Sequence, residues 1–299
     1  MKKIVVCCLV FFVVCFCANA VIISGGDGTG NTSAPSDDPG WENVGRIAAA
    51  NGAPSSVTYL GNSWFITAHH VHNLDSPTNA VLDSGSYAID QSSWTRITNS
   101  SGPDADLDLF KVNGAPTESG ATIRSANISL NSDVVMIGNG RNRRTGETYW
   151  DAAWAETTES LAVYTGYKYA TGSTKRWGEN SLDGINMSIN DGYGTTTCFR
   201  TQFDDVADDA QGATYDSGGG VFMKHGTDWE VAGVMITVGT HTGQPGSTAV
   251  FGNKTYIADL TTYKDQIDAV IPEPMVAFFF AGAGVLWWIR KRVSGLIVS

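Results

Sequence analysis

The chain has 299 residues, of which 42% are hydrophobic and 16% charged, a composition sufficient for one large or two small folded domains. Its formal net charge is −11, and five of its 19 basic residues lie at the extreme ends, so the region between them is more acidic still. Such a surface argues against nucleic acid as a partner, because phosphate binding requires clustered Lys and Arg side chains.

Residues 1–20 have the three parts of a secretory signal peptide: a basic start, an apolar run over residues 4–17 and the small-residue end Ala18-Asn19-Ala20. We expect signal peptidase to cut after Ala20. An N-terminal membrane anchor is the alternative, although this apolar run is short for a membrane span. Four of the five cysteines lie here, so the exported protein keeps only Cys198, without a disulfide. We expect Cys198 to be a buried apolar residue rather than a nucleophile.

Gly, Ser, Thr, Asp and Pro dominate residues 24–40, which predicts an irregular lead-in. From residue 44 to residue 112, short alternating segments are separated by turn-forming residues, a rhythm typical of an all-β barrel or sandwich. The predicted strands are residues 56–60, 63–67, 80–82, 94–97 and 107–112.

Two of these segments carry groups suited to acid–base chemistry. Residues 64–71 (WFITAHHV) predict an apolar strand ending in His70, and Asp106 stands at the head of the next alternating strand. A carboxylate beside an imidazole fixes the imidazole tautomer and stabilises its charged form. Asp104 and Asp108 share a strand face with Asp106, and we interpret both as solvated carboxylates.

Histidines at positions 69, 70 and 72 also allow a Zn²⁺ or Cu²⁺ site. In a strand, however, His70 and His72 share a face while His69 points away, and no other His or Cys has an obvious reason to join them. The sequence therefore predicts no metal and no other cofactor.

A second series of strands begins at residues 134–140. Residues 141–197 are rich in Trp and Tyr, which predicts decorated hairpins, with a substrate-recognition flap as the alternative. Residues 214–220 (TYDSGGG) present a serine hydroxyl on a glycine turn whose backbone N–H groups can hold an oxyanion. Beyond a strand at residues 229–238, apolar residues recur at spacings of three and four, which predicts a closing helix at about residues 255–268.

Three of these motifs, in this order, resemble those of the trypsin-like, chymotrypsin-fold serine proteases. ITAHH at 66–70 resembles that family's T-A-A-H, DLDLFK at 106–111 its D-I-x-L-x-K, and YDSGG at 215–219 its G-D-S-G-G. The resemblance covers about residues 41–268. It implies an all-β fold of two six-stranded barrels, at about 41–128 and 129–257, with a C-terminal helix, inside a domain at 21–269.

The same resemblance implies a serine endopeptidase that hydrolyses peptide bonds of a protein or peptide substrate through an acyl-enzyme. Ser217 is then the nucleophile, His70 the base and Asp106 the group that orients His70. The oxyanion is expected on the N–H groups of Tyr215 and Ser217, with Tyr215 in place of the family's glycine.

Two further expectations follow from the resemblance. VIISGG at residues 21–26 resembles the family's I-V-G-G start, so the α-amine of Val21 is the candidate partner of Asp216 once the signal peptide is cut. The primary specificity pocket is expected between Gln211 and the opposite wall formed by Ile236, Thr237 and Val238. These residues predict a neutral pocket.

At the other end, Pro272-Glu273-Pro274, an apolar run over residues 275–289 and the basic residues 290–292 resemble the PEP-CTERM sorting signals of Gram-negative bacteria. This resemblance implies processing by an exosortase-type enzyme and an envelope or extracellular location. Residues 270–299 would then enter the inner membrane at least transiently. A permanent single-pass anchor is the alternative.

The main competing function is a catalytically inactive relative of this fold that acts as an envelope or extracellular-matrix binding module. The substitution at Tyr215, the altered pocket strand and the sorting tail support it. A purely structural β-rich surface protein is a third possibility, and it predicts no functional geometry among His70, Asp106 and Ser217.

Overall fold

The computed structural model describes residues 21–271. The signal peptide predicted at residues 1–20 and the PEP-CTERM motif with its apolar run, from residue 272 onward, lie outside the described residues. Within residues 21–271, no helix combines the length and apolar character needed to cross a membrane.

The described chain is mainly β-structure with two helices. The strands are β1 Ile22–Ile23, β2 Val44–Ala49, β3 Ser56–Gly61, β4 Trp64–Thr67, β5 Pro77–Leu82, β6 Gly85–Ala88, β7 Thr95–Arg96, β8 Asp108–Lys111, β9 Asp133–Gly138, β10 Arg141–Arg143, β11 Thr148–Trp150, β12 Tyr164–Ser173, β13 Arg176–Asn190, β14 Thr195–Gln202, β15 Ala210–Gln211, β16 Gly220–His225, β17 Asp228–Gly239, β18 Thr248–Val250 and β19 Lys254–Asp259. The helices are α1 His69–Asp75 and α2 Leu260–Val270, and short 3-10 turns lie at Trp41–Asn43 and Glu159–Leu161.

The first half of the molecule is a seven-stranded antiparallel sheet in the order β6-β5-β2-β3-β4-β8-β7. An antiparallel bridge joins Ile89, just after β6, to Val112, just after β8. Six of the strands therefore form a ring, and β7 lies outside it on the edge of β8. Inside, Phe65 of β4 and Phe110 of β8 are fully buried, with parallel rings 5.4 Å apart.

The second half is a closed six-stranded barrel, β13-β14-β19-β17-β16-β9, in which β13 pairs with both β14 and β9. A smaller sheet, β10-β12-β11 with β18 on β12, lies beside the barrel, and β1 pairs with β15. The predicted all-β class with two barrels and a C-terminal helix is confirmed.

The closing helix is shorter than predicted. Residues 254–259 belong to barrel strand β19, where Ile257 pairs with Phe199 and Met235. Helix α2 therefore begins at Leu260, after an N-cap in which the Asp259 carboxylate accepts a hydrogen bond from the N–H of Thr261. Ile257 is a strand residue, and its spacing of three from Leu260 matches the helical period by chance.

Cys198 lies on β14, fully buried and without a disulfide partner in the part of the chain that the structure describes. Burial raises the pKa of its thiol, and the negative charges of Asp191, Asp259 and Asp106 act in the same direction. A thiol with a raised pKa in an apolar interior is a poor nucleophile.

Candidate active site

His70 and Asp106 meet at the junction between strand β4 and helix α1. The apolar strand ends at Thr67, earlier than predicted, so His70 is a helical residue rather than a strand end. Its Nδ1 lies 2.7 Å from Oδ2 of Asp106, and its backbone N–H donates to Oδ1 of the same carboxylate at 2.8 Å. Asp106 is fully buried. Because Nδ1 is engaged, Nε2 is the nitrogen that can exchange a proton with a substrate or nucleophile.

A third side chain, Asp191, joins this pair. It lies in the turn between β13 and β14, and its carboxylate comes within 4.8 Å of the donor atoms of His70 and Asp106. Oδ1 accepts hydrogen bonds from the N–H groups of Tyr193 and Gly194, and the carboxyl group is also hydrogen-bonded with the side chain of Asp106. Burial raises the pKa of Asp191, and the nearby Asp106 carboxylate raises it further.

Opposing effects act on the pKa of His70. Burial alone would lower the pKa of this imidazole, but the hydrogen bond and charge of Asp106 outweigh that penalty, and the charges of Asp191 and Asp75 add to them. The net result is a pKa above the ordinary histidine value. His70 therefore holds a proton to a higher pH than a solvated imidazole does.

We predict that Asp191→Asn lowers the pKa of His70. Removing the Asp191 charge destabilises the imidazolium form, so the neutral imidazole persists at lower pH. The measurement is an NMR titration of the His70 imidazole in both proteins, with the exposed Asp133→Asn as the control. An unchanged His70 pKa in Asp191→Asn would contradict this role.

The serine loop, residues 212–219, is clamped between the two barrels by close backbone contacts. Gly218 has φ +89°, and a Cβ there would lie 2.1 Å from the carbonyl oxygen of Ser56 and 2.2 Å from Oγ1 of Thr67. The carbonyl of Gly218 accepts a hydrogen bond from Thr58, and that of Tyr215 accepts from the N–H of Ser56. Only glycine fits at position 218, so the close packing of the loop against Ser56 and Thr67 depends on the absence of a side chain there.

Ser217 stands on this loop with a hydroxyl that donates to the carbonyl of Ile236 at 3.3 Å. Within residues 21–271, the Ser217 hydroxyl forms no hydrogen bond to His70 in this conformation. The backbone N–H groups of Tyr215 and Ser217 have no acceptor within the same residues. These two donors are the pair that the resemblance assigns to an oxyanion.

Tyr215 adopts the left-handed backbone conformation, with φ +79°. Non-glycine residues pay about 1–2 kcal/mol for this conformation. The Arg141 guanidinium lies over the Tyr215 ring, 5.5 Å from its centroid, which contributes a compensating cation–π contact. The tyrosine thus occupies the conformation that a glycine would take without strain.

Asp216 is buried beneath the loop rather than facing the solvent. Its carboxylate accepts hydrogen bonds from the N–H groups of Gly140 at 2.7 Å, Ala213 at 2.8 Å and Val21. A Cβ on Gly140 would meet this carboxylate at 2.3 Å, so the glycine is required for the contact. Burial raises the pKa of Asp216 to about 7, although the three hydrogen bonds act against the rise.

His70 and Ser217 line one cavity of about 380 Å³. Ile236, Thr237 and Val238 form part of its wall, and hydroxyl-bearing residues such as Thr214 and Ser247 add polar surface. The cavity lining contains no Lys or Arg, and its one carboxylate, Asp216, is engaged by backbone N–H groups.

Two predicted positions differ from the structure. Gln211 does not line the cavity: it pairs with Ile22 in the β1–β15 ladder and is fully buried. Asp108 is not a solvated carboxylate, since it is buried and its Oδ2 lies 2.9 Å from Nδ1 of His69 and 2.6 Å from Nδ1 of His72. The family resemblance places Gln211 at the pocket but does not show its pairing with β1, and the strand pattern around Asp108 does not show which side chains of α1 pack against it.

No protein-family model matches the chain, and none of the curated proteins matches it. Among solved structures, it is similar to an inactive serine-to-alanine mutant form of Rv3671c from M. tuberculosis H37Rv, at 13% identity and TM-score 0.47, over 81% of this chain and 95% of that one. The inactive form of the Rv3671c protease matches at 13% identity and TM-score 0.44, covering 77% and 89% of the two chains. The passenger domain of the plasmid-encoded toxin, an autotransporter enterotoxin from enteroaggregative Escherichia coli, matches at 15% identity and TM-score 0.46, over 75% of this chain and 22% of that one.

Proposed function

We propose that this chain is an exported serine endopeptidase in which Ser217 is the nucleophile, His70 the general base and Asp106 the group that orients His70. The observation that carries the proposal is the shared cavity: Ser217 and His70 both face it, and the buried Asp106 binds the far nitrogen of His70 at 2.7 Å. A buried carboxylate on Nδ1 supports the Nε2 basicity that a serine hydroxyl needs.

In the proposed mechanism, the Ser217 hydroxyl turns from the Ile236 carbonyl toward Nε2 of His70 when a substrate carbonyl enters the cavity. His70 accepts the hydroxyl proton as Ser217 forms the tetrahedral intermediate, and then donates that proton to the leaving amine. Water then attacks the acyl-enzyme, and His70 accepts the proton of the water and donates it to the departing Ser217 oxygen. The N–H groups of Tyr215 and Ser217, which have no acceptor among the described residues, are the donors available for the oxyanion.

The cavity supports a neutral substrate side chain beside the scissile bond. An Asp216 carboxylate that already accepts three backbone hydrogen bonds has little capacity left for a Lys or Arg side chain. A peptide-library digest by the mature protein tests both the endopeptidase activity and the preference for a neutral side chain. Internal cleavage after uncharged residues supports the proposal, and no cleavage by a folded, fully processed sample counts against it.

The proposal includes export, which is supported by sequence motifs at the two ends of the chain. The signal-like residues 1–20 indicate secretion, and the PEP-CTERM-like segment indicates exosortase-type sorting at the envelope of a Gram-negative bacterium. Mass spectrometry of the protein from the envelope or medium tests both ends at once. A signal cut after Ala20 and a processed C-terminus are expected.

We also propose that the cut after Ala20 activates the enzyme. Val21 is buried, and its backbone nitrogen already donates to Asp216. While Ala20 is attached, Val21 has φ +33°, a value that a β-branched residue rarely adopts. Because φ exists only while residue 20 is attached, cleavage removes this strain and converts the amide donor into a charged α-amine.

A protein that begins at Val21 should therefore be more active than one with an uncleavable N-terminal extension, by about 10–100-fold in kcat/KM, since a hydrogen bond to a charged group contributes about 1.5–3 kcal/mol. The extended protein should also lose stability as pH rises from 3.8 to about 7, because its folded state holds the Asp216 proton longer than its unfolded state. The mature protein should lose less, since the α-amine lowers the Asp216 pKa. Equal activity and equal pH dependence would contradict activation by this pair.

One observation favours the alternative of an inactive binding module: the Ser217 hydroxyl faces the Ile236 carbonyl rather than His70. In an inactive module this arrangement is permanent, whereas in an enzyme it changes when substrate enters. Hydrolysis by the mature protein distinguishes the two, and so does covalent labelling of Ser217 by a fluorophosphonate.

A further inference from the structure

His69, His72 and Asp108 form a second cluster of titratable side chains beside the candidate active site. Nδ1 of His69 and Nδ1 of His72 lie 2.9 Å and 2.6 Å from the same oxygen, Oδ2 of Asp108. One donor atom from each residue comes within 4.8 Å of the other two. None of the three side chains belongs to the proposed catalytic group.

Local structure explains why these residues converge. The segment is helical from His69, so positions 69 and 72 lie one turn apart on the same face, while His70 is directed to Asp106. The strand assumed from the sequence would have placed His69 and His72 on opposite faces. Strand β8 begins at Asp108 and directs that carboxylate toward the His69–His72 face of the helix.

The carboxylate of Asp108 is bound unevenly. Both imidazoles approach Oδ2, whereas Oδ1 is buried and has no hydrogen-bond partner among residues 21–271. The Asp108 side chain is 3% exposed, so water supplies little solvation for its charge. Two imidazole nitrogens and one carboxylate oxygen that lie this close together are also a donor set able to coordinate a divalent cation.

We propose that His69, His72 and Asp108 bind a divalent cation of the Zn²⁺ class. Nitrogen and carboxylate ligands are typical of Zn²⁺, and three protein ligands leave a fourth position for water. The imidazoles are 22% and 33% exposed, so an ion can reach them from solvent. His72 is held in place by Trp94, whose ring stacks on the imidazole at 3.8 Å.

The position of the site indicates its effect. A cation there would join α1, which carries His70, to β8, which begins two residues after Asp106. It would therefore brace the helix on which His70 depends without contacting substrate. The proposal is independent of proteolytic activity, because the binding and stability measurements need no substrate.

The test is Zn²⁺ binding by the mature, chelator-treated protein, followed by calorimetric titration and thermal unfolding. We expect one ion per chain and, at a free Zn²⁺ concentration about 100 times the Kd, a rise in Tm of about 5 °C or more. His72→Ala should weaken binding by about 100-fold or more and remove the rise in Tm. The chain has five histidines, which supply matched controls: His70→Ala, in the catalytic group, and the exposed His225→Ala should both keep the site.

Three outcomes would overturn the proposal. Wild-type protein that neither binds Zn²⁺ nor gains thermal stability lacks the site. Binding that survives in His72→Ala but disappears in His70→Ala would place the ion on His70, Asp106 and Asp191 instead. If His72→Ala fails to fold, Asp108→Asn, which keeps the side-chain shape, provides the second variant, and undiminished Zn²⁺ binding by it would contradict the assignment.

Discussion

Under the proposed peptidase function, Ser217→Ala is expected to lower kcat for peptide hydrolysis by about 10⁶-fold, as loss of the nucleophile does in Ser-His-Asp peptidases. The change removes only a hydroxyl whose single hydrogen bond, to the Ile236 carbonyl, is long at 3.3 Å. The fold should therefore persist, with a thermal unfolding midpoint close to that of the wild type. Single-turnover kinetics on one cleaved peptide from the library would measure the loss.

Ser247→Ala is the matched control, because Ser247 contributes another hydroxyl to the same cavity. Its effect should be confined to modest changes in KM, since its side chain supports no bond-making step. Hydrolysis by Ser217→Ala at the wild-type rate would remove the nucleophile from the mechanism. Equal losses in both variants would indicate that the cavity is only a binding site.

Asp106→Asn should be the next most damaging change, with a loss in kcat of about 10⁴-fold. An asparagine amide can turn its N–H₂ group toward Nδ1 of His70, which forces the proton onto Nε2 and leaves no base facing Ser217. The bond from the His70 backbone N–H can still form to the amide oxygen. The helix should therefore remain in place while the imidazole holds the wrong tautomer.

The control for this prediction is Asp104→Asn, which removes an exposed carboxylate two residues away. Steady-state kinetics should show little change in that variant. If Asp106→Asn and Asp104→Asn were equally active, Asp106 would be a structural carboxylate. The orienting role would then have to be assigned elsewhere, with Asp191 the nearest candidate.

The three chemical groups of the candidate site could be predicted from the sequence because each lies in a short local motif. His70, Asp106 and Ser217 stand next to apolar strands, and strand ends of a β-barrel are where polar side chains gather. Val21 could be proposed for the same reason, since its motif directly follows the expected signal cut. The structure adds its hydrogen bond to Asp216, which no local pattern contains.

Asp191 could not be predicted, because its approach to His70 depends on how the long β13–β14 hairpin folds over the loop before β8. A Cβ on Gly194 would lie 2.4 Å from the carbonyl oxygen of Asp104, so this turn packs directly on that loop. The turn residues Asn190-Asp191-Gly192 do signal a hairpin. They do not signal which distant loop the hairpin meets.

The cluster at His69, His72 and Asp108 was missed for a different reason. The strand and the short helix follow each other without a turn-forming residue between them, and the N-cap position is occupied by Ala68 rather than by a residue with a capping side chain. The Ala68 N-cap makes no side-chain hydrogen bond. Because strand and helix periods put different histidines on one face, the error in local structure changed the predicted ligand set.

The most direct test of the peptidase account is covalent labelling of the mature protein with a fluorophosphonate, followed by peptide mapping. A polarised serine hydroxyl backed by His70 should react once per chain, with the label on Ser217 and none on Ser217→Ala. Folded, correctly processed protein that takes up no label, or that takes it up at another residue, would contradict the account and leave the binding module as the better description.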